Sequence, residues 1–137
     1  KSYYDGIIDR TKNINTNHVK SLQFIREMNM AYSAADIIIS RAGALSISEL
    51  CIVGKPAILV PSPNVSEDHQ TKNAMALVTK NAAILVKDNE AKNKLGTVAV
   101  ELLYDEQQQN KLAVHIKSLA KINAANDIVT AIIAQQK

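Results

Sequence analysis

The alternation of short apolar runs with helix-length stretches constrains the fold of this chain most strongly. Apolar runs occupy residues 36–40, 56–60 and 82–86, and the first is rich in β-branched residues and apolar on both faces. Such a run is typical of a strand buried between two helix layers of a parallel sheet. Strands that alternate with helices imply βαβ crossovers. The sequence therefore predicts an α/β fold, a Rossmann-like parallel sheet with helices on both faces.

Helical spacing of apolar residues and turn residues place the remaining elements. A further strand is predicted over His18–Phe24, where polar and apolar residues alternate. The helix that starts at Ala44 is expected to end at Val53, because Gly54 follows it directly and Pro56 comes two residues later. Glu67 and Asp68 are expected to lie in the first turn of the helix after the second run. The predicted helices span 2–12, 26–35, 44–53, 67–80, 90–103, 106–121 and 124–135.

Composition excludes several classes of protein. The 137 residues are 47% hydrophobic and 21% charged, as in one ordinary globular domain. The formal net charge of +3 comes from scattered lysines among few aromatic residues, which argues against a nucleic-acid partner. The single cysteine, Cys51, favours a reducing cytoplasmic setting and is expected to act as a small hydrophobe. No His, Cys or carboxylate group has metal-ligand spacing, so neither a metal nor a cofactor is predicted.

The segment Ser40–Glu49 is the strongest functional motif. It joins a strand end, a turn at Gly43 and a helix start, and parallel sheets bind ligands beyond the carboxyl ends of their strands. Backbone amides and the helix dipole at such a helix start suit a diphosphate. The hydroxyls of Ser46 and Ser48 add neutral donors, and the Glu49 carboxylate is able to accept hydrogen bonds from both ribose hydroxyls.

A capping box explains the same residues without a ligand. Ser46 and Glu49 have its spacing, in which Glu49 would bond back to the amide of Ser46. The motif by itself favours the cap over the ribose contact.

A polar patch in a later helix is the second candidate site. His69, Gln70 and Asn73 fall on one side of that helix and carry groups suited to sugar hydroxyls. Polar residues in a first helical turn are usually only solvated, and composition alone favours that alternative. The adjacent strand-end loop favours a binding role.

Three ordered motifs give this chain a close resemblance to the MurG family, which adds N-acetylglucosamine to lipid I in peptidoglycan synthesis. The motifs are the string from Ala35 to Glu49, the segment Gly54–Ala57, and His69-Gln70 with Asn73-Ala74. The resemblance runs from about Tyr3 to the end. It covers the second of two Rossmann-like domains in a GT-B glycosyltransferase, so the chain is expected to be a fragment.

The resemblance implies a role for each candidate residue. Glu49 would hold the ribose hydroxyls, the Ile25 backbone would lie near the uracil, and Gln70 would read the sugar hydroxyls. His69 or Asn73 would assist Gln70, although many relatives have glutamine at position 69. The resemblance thus favours a ligand role for Glu49, which is also able to cap in the empty state. The residues expected around the diphosphate and ribose are Ala44, Leu45, Ser46, Ile47, Ser48 and Glu49.

The resemblance also implies a reaction and partners. The donor would be UDP-N-acetylglucosamine, and inverting transfer to the 4-hydroxyl of a lipid-linked muramoyl-pentapeptide would give lipid II. The acceptor site, membrane-facing patch and catalytic base would belong to a domain upstream of Lys1, so no catalytic residue is assigned here and the fragment alone would be inactive. The enzyme would lie peripherally on the cytoplasmic face of the bacterial membrane.

Two alternatives remain open at this point. The chain would also suit the donor-binding half of another UDP-sugar transferase, such as the split enzyme of the dolichol pathway. From a different class, it would suit a non-catalytic UDP-sugar-binding module that uses the same pocket.

Overall fold

The computed structural model describes residues 18–63 and 68–135. The chain divides into two compact units, Lys1–Ser33 and Ala34–Lys137, which are described separately. The helix predicted over 2–12 lies outside the described residues.

The described part of the first unit, residues 18–33, is mostly irregular before helix α1, Met28–Ala34, begins. The strand predicted over His18–Phe24 is wrong. The side chains of Val19, Leu22 and Phe24 are at least half exposed, so the apolar face of this stretch is not buried. A strand also needs a hydrogen-bonded neighbour, and the strand pairings of the described residues lie entirely within the other unit.

The second unit is a parallel α/β domain, as predicted. Its three strands lie in the order β1-β2-β3 and pair in parallel, with Ile38 opposite Ala57 and Ile58 opposite Ile84. One helix connects each strand to the next. The elements are β1 Ile38–Ser40, α2 Ala44–Val53, β2 Ala57–Leu59, α3 His69–Val78, β3 Ile84–Leu85, α4 Asp88–Tyr104, α5 Glu106–Ser118 and α6 Ala124–Ala134.

Strand β2 forms the centre of the core. Its three residues are fully buried, and Ile58 packs in one cluster with Val60, Leu102 and Leu112. Strand β1 was expected to be buried on both faces, and this is wrong for Ile39, which is 47% exposed. Within the described residues β1 has a strand neighbour on one side only, so it has less cover than β2.

Two helix boundaries carry left-handed residues. Asp68 has φ 56° and precedes α3 as its N-cap. The expectation that Asp68 lies inside the first turn is therefore wrong, because a left-handed backbone is not helical. Helix α2 ends as predicted at Gly54, which has φ 68° and donates its amide to the Leu50 carbonyl oxygen at 3.0 Å.

Two glycine substitutions are expected to change stability in opposite directions. Alanine at Gly54 would keep a positive φ and would place its Cβ 3.0 Å from the Lys117 side chain. We expect Gly54→Ala to lower the free energy of unfolding by about 1–2 kcal/mol. Gly96 lies inside α4 with open space around it, so Gly96→Ala should raise that free energy by about 0.5–1 kcal/mol. Chemical denaturation of both variants measures the two changes in the free energy of unfolding. Changes of the same sign would contradict this account.

The carboxyl-terminal part of the domain is helical, as predicted. Helices α4 and α5 meet at Asp105, whose carboxylate accepts the Gln108 amide at 2.9 Å. All residues of α6 are exposed, including Ile128 and Ile132. Within residues 18–63 and 68–135, no helix combines the length and apolar character needed to cross a bilayer.

Candidate functional site

The loop between β1 and α2 forms the floor of the candidate site. Gly43 is the N-cap of α2, with extended backbone (φ −64°, ψ 151°) and no side-chain cap. The first intrahelical bond runs from the Ile47 amide to the Gly43 carbonyl at 2.9 Å. The amides of residues 44–46 therefore precede the first intrahelical bond, which is the arrangement that receives anions at helix starts.

The capping box proposed for Ser46 and Glu49 is wrong. Helix α2 begins at Ala44, so Ser46 is its third residue and Gly43 occupies the cap position. The Ser48 hydroxyl donates to the Ala44 carbonyl oxygen at 3.1 Å. In this structure its proton is used within the helix, and a donation from Ser48 to a phosphate stays a prediction.

Few of the described residues cover the start of α2. A Cβ built on Gly43 would meet only the Ser46 Oγ, at 3.6 Å, among the described atoms within 4 Å. Leu45, one residue into the helix, is 82% exposed. The φ of Gly43 suits any residue, so the turn does not require a glycine for its conformation.

Gln70 connects two strand-end loops. Its Oε1 accepts the Ala42 amide at 3.2 Å and the Ser62 amide at 2.9 Å. Because both partners are donors, the orientation of the side-chain amide is fixed and its Nε2 points away from them. Gln70 therefore joins the loop after β1 to the loop after β2.

Asn73 holds the same loop residue from the next turn of α3. Its Nδ2 donates to the Ala42 carbonyl oxygen at 3.1 Å, so both backbone polar groups of the buried Ala42 bond to α3. The alternative that these polar residues are only solvated is wrong for Gln70 and Asn73. His69 is exposed at the first position of α3.

Arg41 lies in the predicted turn, and its side chain contacts residues that are distant in sequence. Its Nη1 donates to the carbonyl oxygens of Val60 at 3.1 Å and Pro61 at 3.4 Å. It also forms an ion pair with the carboxylate of Asp88, the first residue of α4. Asp88 is 47 residues away in sequence, so no local spacing signals this pair.

The remaining predicted residues are placed as follows. Glu49 is exposed on α2, and Ile47, two residues earlier in the same helix, is half-buried. Ile25 belongs to the first unit, so its expected contact with uracil stays a prediction.

Cys51 fits the interpretation as a small hydrophobe. It is buried in α2, and this burial raises the pKa of its thiol, against a smaller opposite effect of Lys80. A raised pKa disfavours the nucleophilic thiolate. Across the two described stretches, no group of three or more His, Cys, Asp or Glu side chains is placed to hold a metal ion.

Fold and site together define an open parallel α/β domain of the kind that binds its ligand at the carboxyl ends of the strands. Residues 6–131 match the Glycosyltransferase family 28 C-terminal domain, and the chain belongs to this family.

Similar proteins agree with the assignment of the chain to this family. The UDP-N-acetylglucosamine--N-acetylmuramyl-(pentapeptide) pyrophosphoryl-undecaprenol N-acetylglucosamine transferase of Cytophaga hutchinsonii is 53% identical over 129 residues, which cover 94% of this chain and 34% of the relative. The protein of the same name from Bacteroides fragilis is 56% identical over 115 residues, covering 82% and 30%. The chain thus spans about a third of the length of these relatives.

This chain is also similar to a solved structure. The crystal structure of Acinetobacter baumannii MurG matches with a TM-score of 0.76 and 35% identity, covering 84% of this chain and 33% of that one. The resemblance to the MurG family is therefore confirmed.

Proposed function

We propose that this chain binds UDP-N-acetylglucosamine for an inverting glycosyltransferase that converts lipid I to lipid II. The observation that carries the proposal is the open start of α2 with the amide side chains of Gln70 and Asn73 bonded to the loop before it. The names of the relatives support both the donor and the lipid-linked acceptor. They favour this enzyme over a split dolichol-pathway transferase or a non-catalytic module.

The diphosphate is assigned to the start of α2. The amides of Ala44, Leu45 and Ser46 point toward the open end of the helix, and the Ser46 hydroxyl adds a donor. As the glycosidic bond breaks, negative charge grows on the leaving UDP. Fixed backbone donors stabilise that charge without reorganising during the reaction.

The ribose is assigned to Glu49. Glu49 follows Leu45 by four residues and Ser46 by three, so it lies on the same side of α2 as the proposed phosphate donors. A carboxylate accepts hydrogen bonds from two neighbouring hydroxyls. Ile47 and Ser48 belong to the same first turns of the helix and are proposed to contact the donor through their backbone.

The N-acetylglucosamine is assigned to the start of α3. The Oε1 of Gln70 is occupied by two backbone amides, so Gln70 offers a donor, its Nε2. The Nδ2 of Asn73 is occupied by the Ala42 carbonyl, so Asn73 offers an acceptor, its Oδ1. A sugar hydroxyl both donates and accepts, and it would match this pair. His69 adds a further polar group at the edge.

The remaining chemistry is assigned to a second domain. In the proposed step, the 4-hydroxyl oxygen of the acceptor attacks the anomeric carbon, the bond to the β-phosphate oxygen breaks, and a base takes the hydroxyl proton. The acceptor site, that base and a membrane-facing surface would lie outside this chain, on the cytoplasmic side of the bacterial membrane. The described residues would hold and orient the donor.

A calorimetric titration of the complete protein that contains this chain tests the proposal. We expect Glu49→Ala to weaken UDP binding at least about 10-fold, because a hydrogen bond to a charged group contributes about 1.5–3 kcal/mol. Glu101→Ala is a matched control, since Glu101 is an exposed carboxylate toward the far end of α4. Unchanged UDP affinity in Glu49→Ala would contradict the ribose assignment. Equal affinity for UDP and UDP-N-acetylglucosamine would contradict the sugar assignment.

A further inference from the structure

We infer that Arg41 and Asp88 are positioning residues that fix the phosphate-binding loop of the proposed donor site, so the inference rests on the proposed function. Arg41 directly follows β1 and stands two residues before the N-cap Gly43. Asp88 opens α4, on the far side of β2 and β3 in sequence. Their contact therefore joins the loop that offers the amides to a helix 47 residues further along the chain.

The Arg41 side chain continues the sheet where its backbone pairing stops. The last bond between β1 and β2 runs from the Val60 amide to the Ser40 carbonyl at 2.9 Å. One residue further on, the guanidinium replaces a backbone group and donates to the Val60 and Pro61 carbonyl oxygens at 3.1 and 3.4 Å. The strand ends thus stay joined beyond the strands themselves.

Asp88 fixes the guanidinium in this position. Its carboxylate pairs with the same Nη1 that contacts the two carbonyls, so the three acceptors come from two separate segments. The planar guanidinium fixes the direction of its donors, whereas the ammonium of lysine turns on a flexible stem.

The loop is therefore held from two sides at consecutive residues. Arg41 is tied through its side chain toward β2 and α4, and Ala42 is tied through its backbone to Gln70 and Asn73 on α3. The next residues, Gly43 and Ala44, begin the stretch whose amides are assigned to the diphosphate. Small displacements of such donors reduce binding and rate strongly, so anchors next to them matter for affinity.

The exposure of the Arg41 and Asp88 side chains argues for a positioning role rather than a role in global stability. The Arg41 and Asp88 side chains are 50% and 34% exposed, and ion pairs with such exposure contribute little to unfolding. Loss of the pair should therefore appear in donor binding more than in thermal stability.

A double-mutant cycle in the complete protein tests the inference. Arg41→Ala and Asp88→Ala are each expected to raise the KM for UDP-N-acetylglucosamine about fivefold while the KM for the acceptor stays unchanged. The double variant should be no worse than the worse single one, because both changes remove one contact. Arg41→Lys keeps the charge and should recover part of the loss. The exposed pair Glu90 and Lys94 on the same helix, 3.0 Å apart, is the matched control, and its alanine variants should bind donor normally.

Three results would overturn the inference. If Arg41 left Asp88 to bind the diphosphate directly, Asp88→Ala would maintain or improve UDP affinity while Arg41→Ala reduced it. If the pair were only structural, both variants would lower the melting temperature and leave the donor KM unchanged. A wild-type protein that bound neither UDP nor UDP-N-acetylglucosamine would overturn the proposed function together with this inference, and that result is distinct from the other two.

Discussion

Replacing Gln70 with alanine is expected to weaken binding of UDP-N-acetylglucosamine about 100-fold. The change leaves the amides of Ala42 and Ser62 without their acceptor and removes the proposed donor to the sugar. A lost hydrogen bond that leaves its sugar hydroxyl unsatisfied costs about 1–3 kcal/mol of binding free energy. The loop amides lack their acceptor in the free and the bound protein alike, so they affect binding only through displacement of the loop. A total of about 3 kcal/mol corresponds to the expected factor. Calorimetric titration of the complete protein with the donor measures it.

Gln70→Glu separates the two functions proposed for this side chain. A glutamate oxygen still accepts from the Ala42 and Ser62 amides, so the loops should stay joined and stability should be retained. The Nε2 donor is lost, and a negative charge is added near the proposed diphosphate. We expect donor binding to weaken while the melting temperature stays closer to that of the wild type than in Gln70→Ala.

Gln109 is the matched control for Gln70, because it also bonds to two backbone groups but lies outside the proposed site. Its Nε2 donates to the carbonyl oxygens of Leu102 and Leu103, both at 2.9 Å, at the junction of α4 and α5. Gln109→Ala should lower stability and leave donor affinity unchanged. Donor affinity that is equal in Gln70→Ala and Gln109→Ala would refute the role of Gln70.

Replacing Ile58 with alanine is expected to lower the free energy of unfolding by about 3–4 kcal/mol. Ile58 is fully buried in the middle strand and packs with Val60, Val86 and Leu102. Its loss removes buried apolar surface and leaves a cavity that neighbouring strands on both sides cannot easily close. Chemical denaturation measures the change.

Ile52 is the matched control for this substitution. It lies on α2 and is 56% exposed, so Ile52→Ala should cost less than about 1 kcal/mol. Comparable losses in Ile52→Ala and Ile58→Ala would show that burial in β2 does not dominate the stability of the sheet.

The order and type of the elements in the second unit follow from local signals in the sequence. Helix α2 is predicted from Ala44 to Val53 and observed with those bounds, because Gly54 supplies a left-handed end that few other residues tolerate. The strand predicted over His18–Phe24 fails for the opposite reason. Alternation describes a face that a sheet is able to bury, but a strand forms only where a neighbour pairs with it.

The sequence identifies candidate residues of the site but does not predict which residues they contact. Gln70 and Asn73 are recognised as polar groups beside a strand-end loop, whereas their bonds to Ala42 depend on how α3 packs. The capping box at Ser46 fails because the helix extends further back than the motif requires. Arg41 and Asp88 are 47 residues apart and meet only in the folded domain, so their pairing belongs to the tertiary structure.

The strand order β1-β2-β3, which repeats the order of the chain, has a consequence for biosynthesis. A growing chain is able to add each new strand to the edge left by the previous one, without inserting it between strands already paired. Ala42, Ser62 and Gln70 are all translated before α4 begins, whereas the partner of Arg41 is the first residue of that helix. The two anchors of the loop can therefore form at successive stages of translation, first from α3 and then from α4.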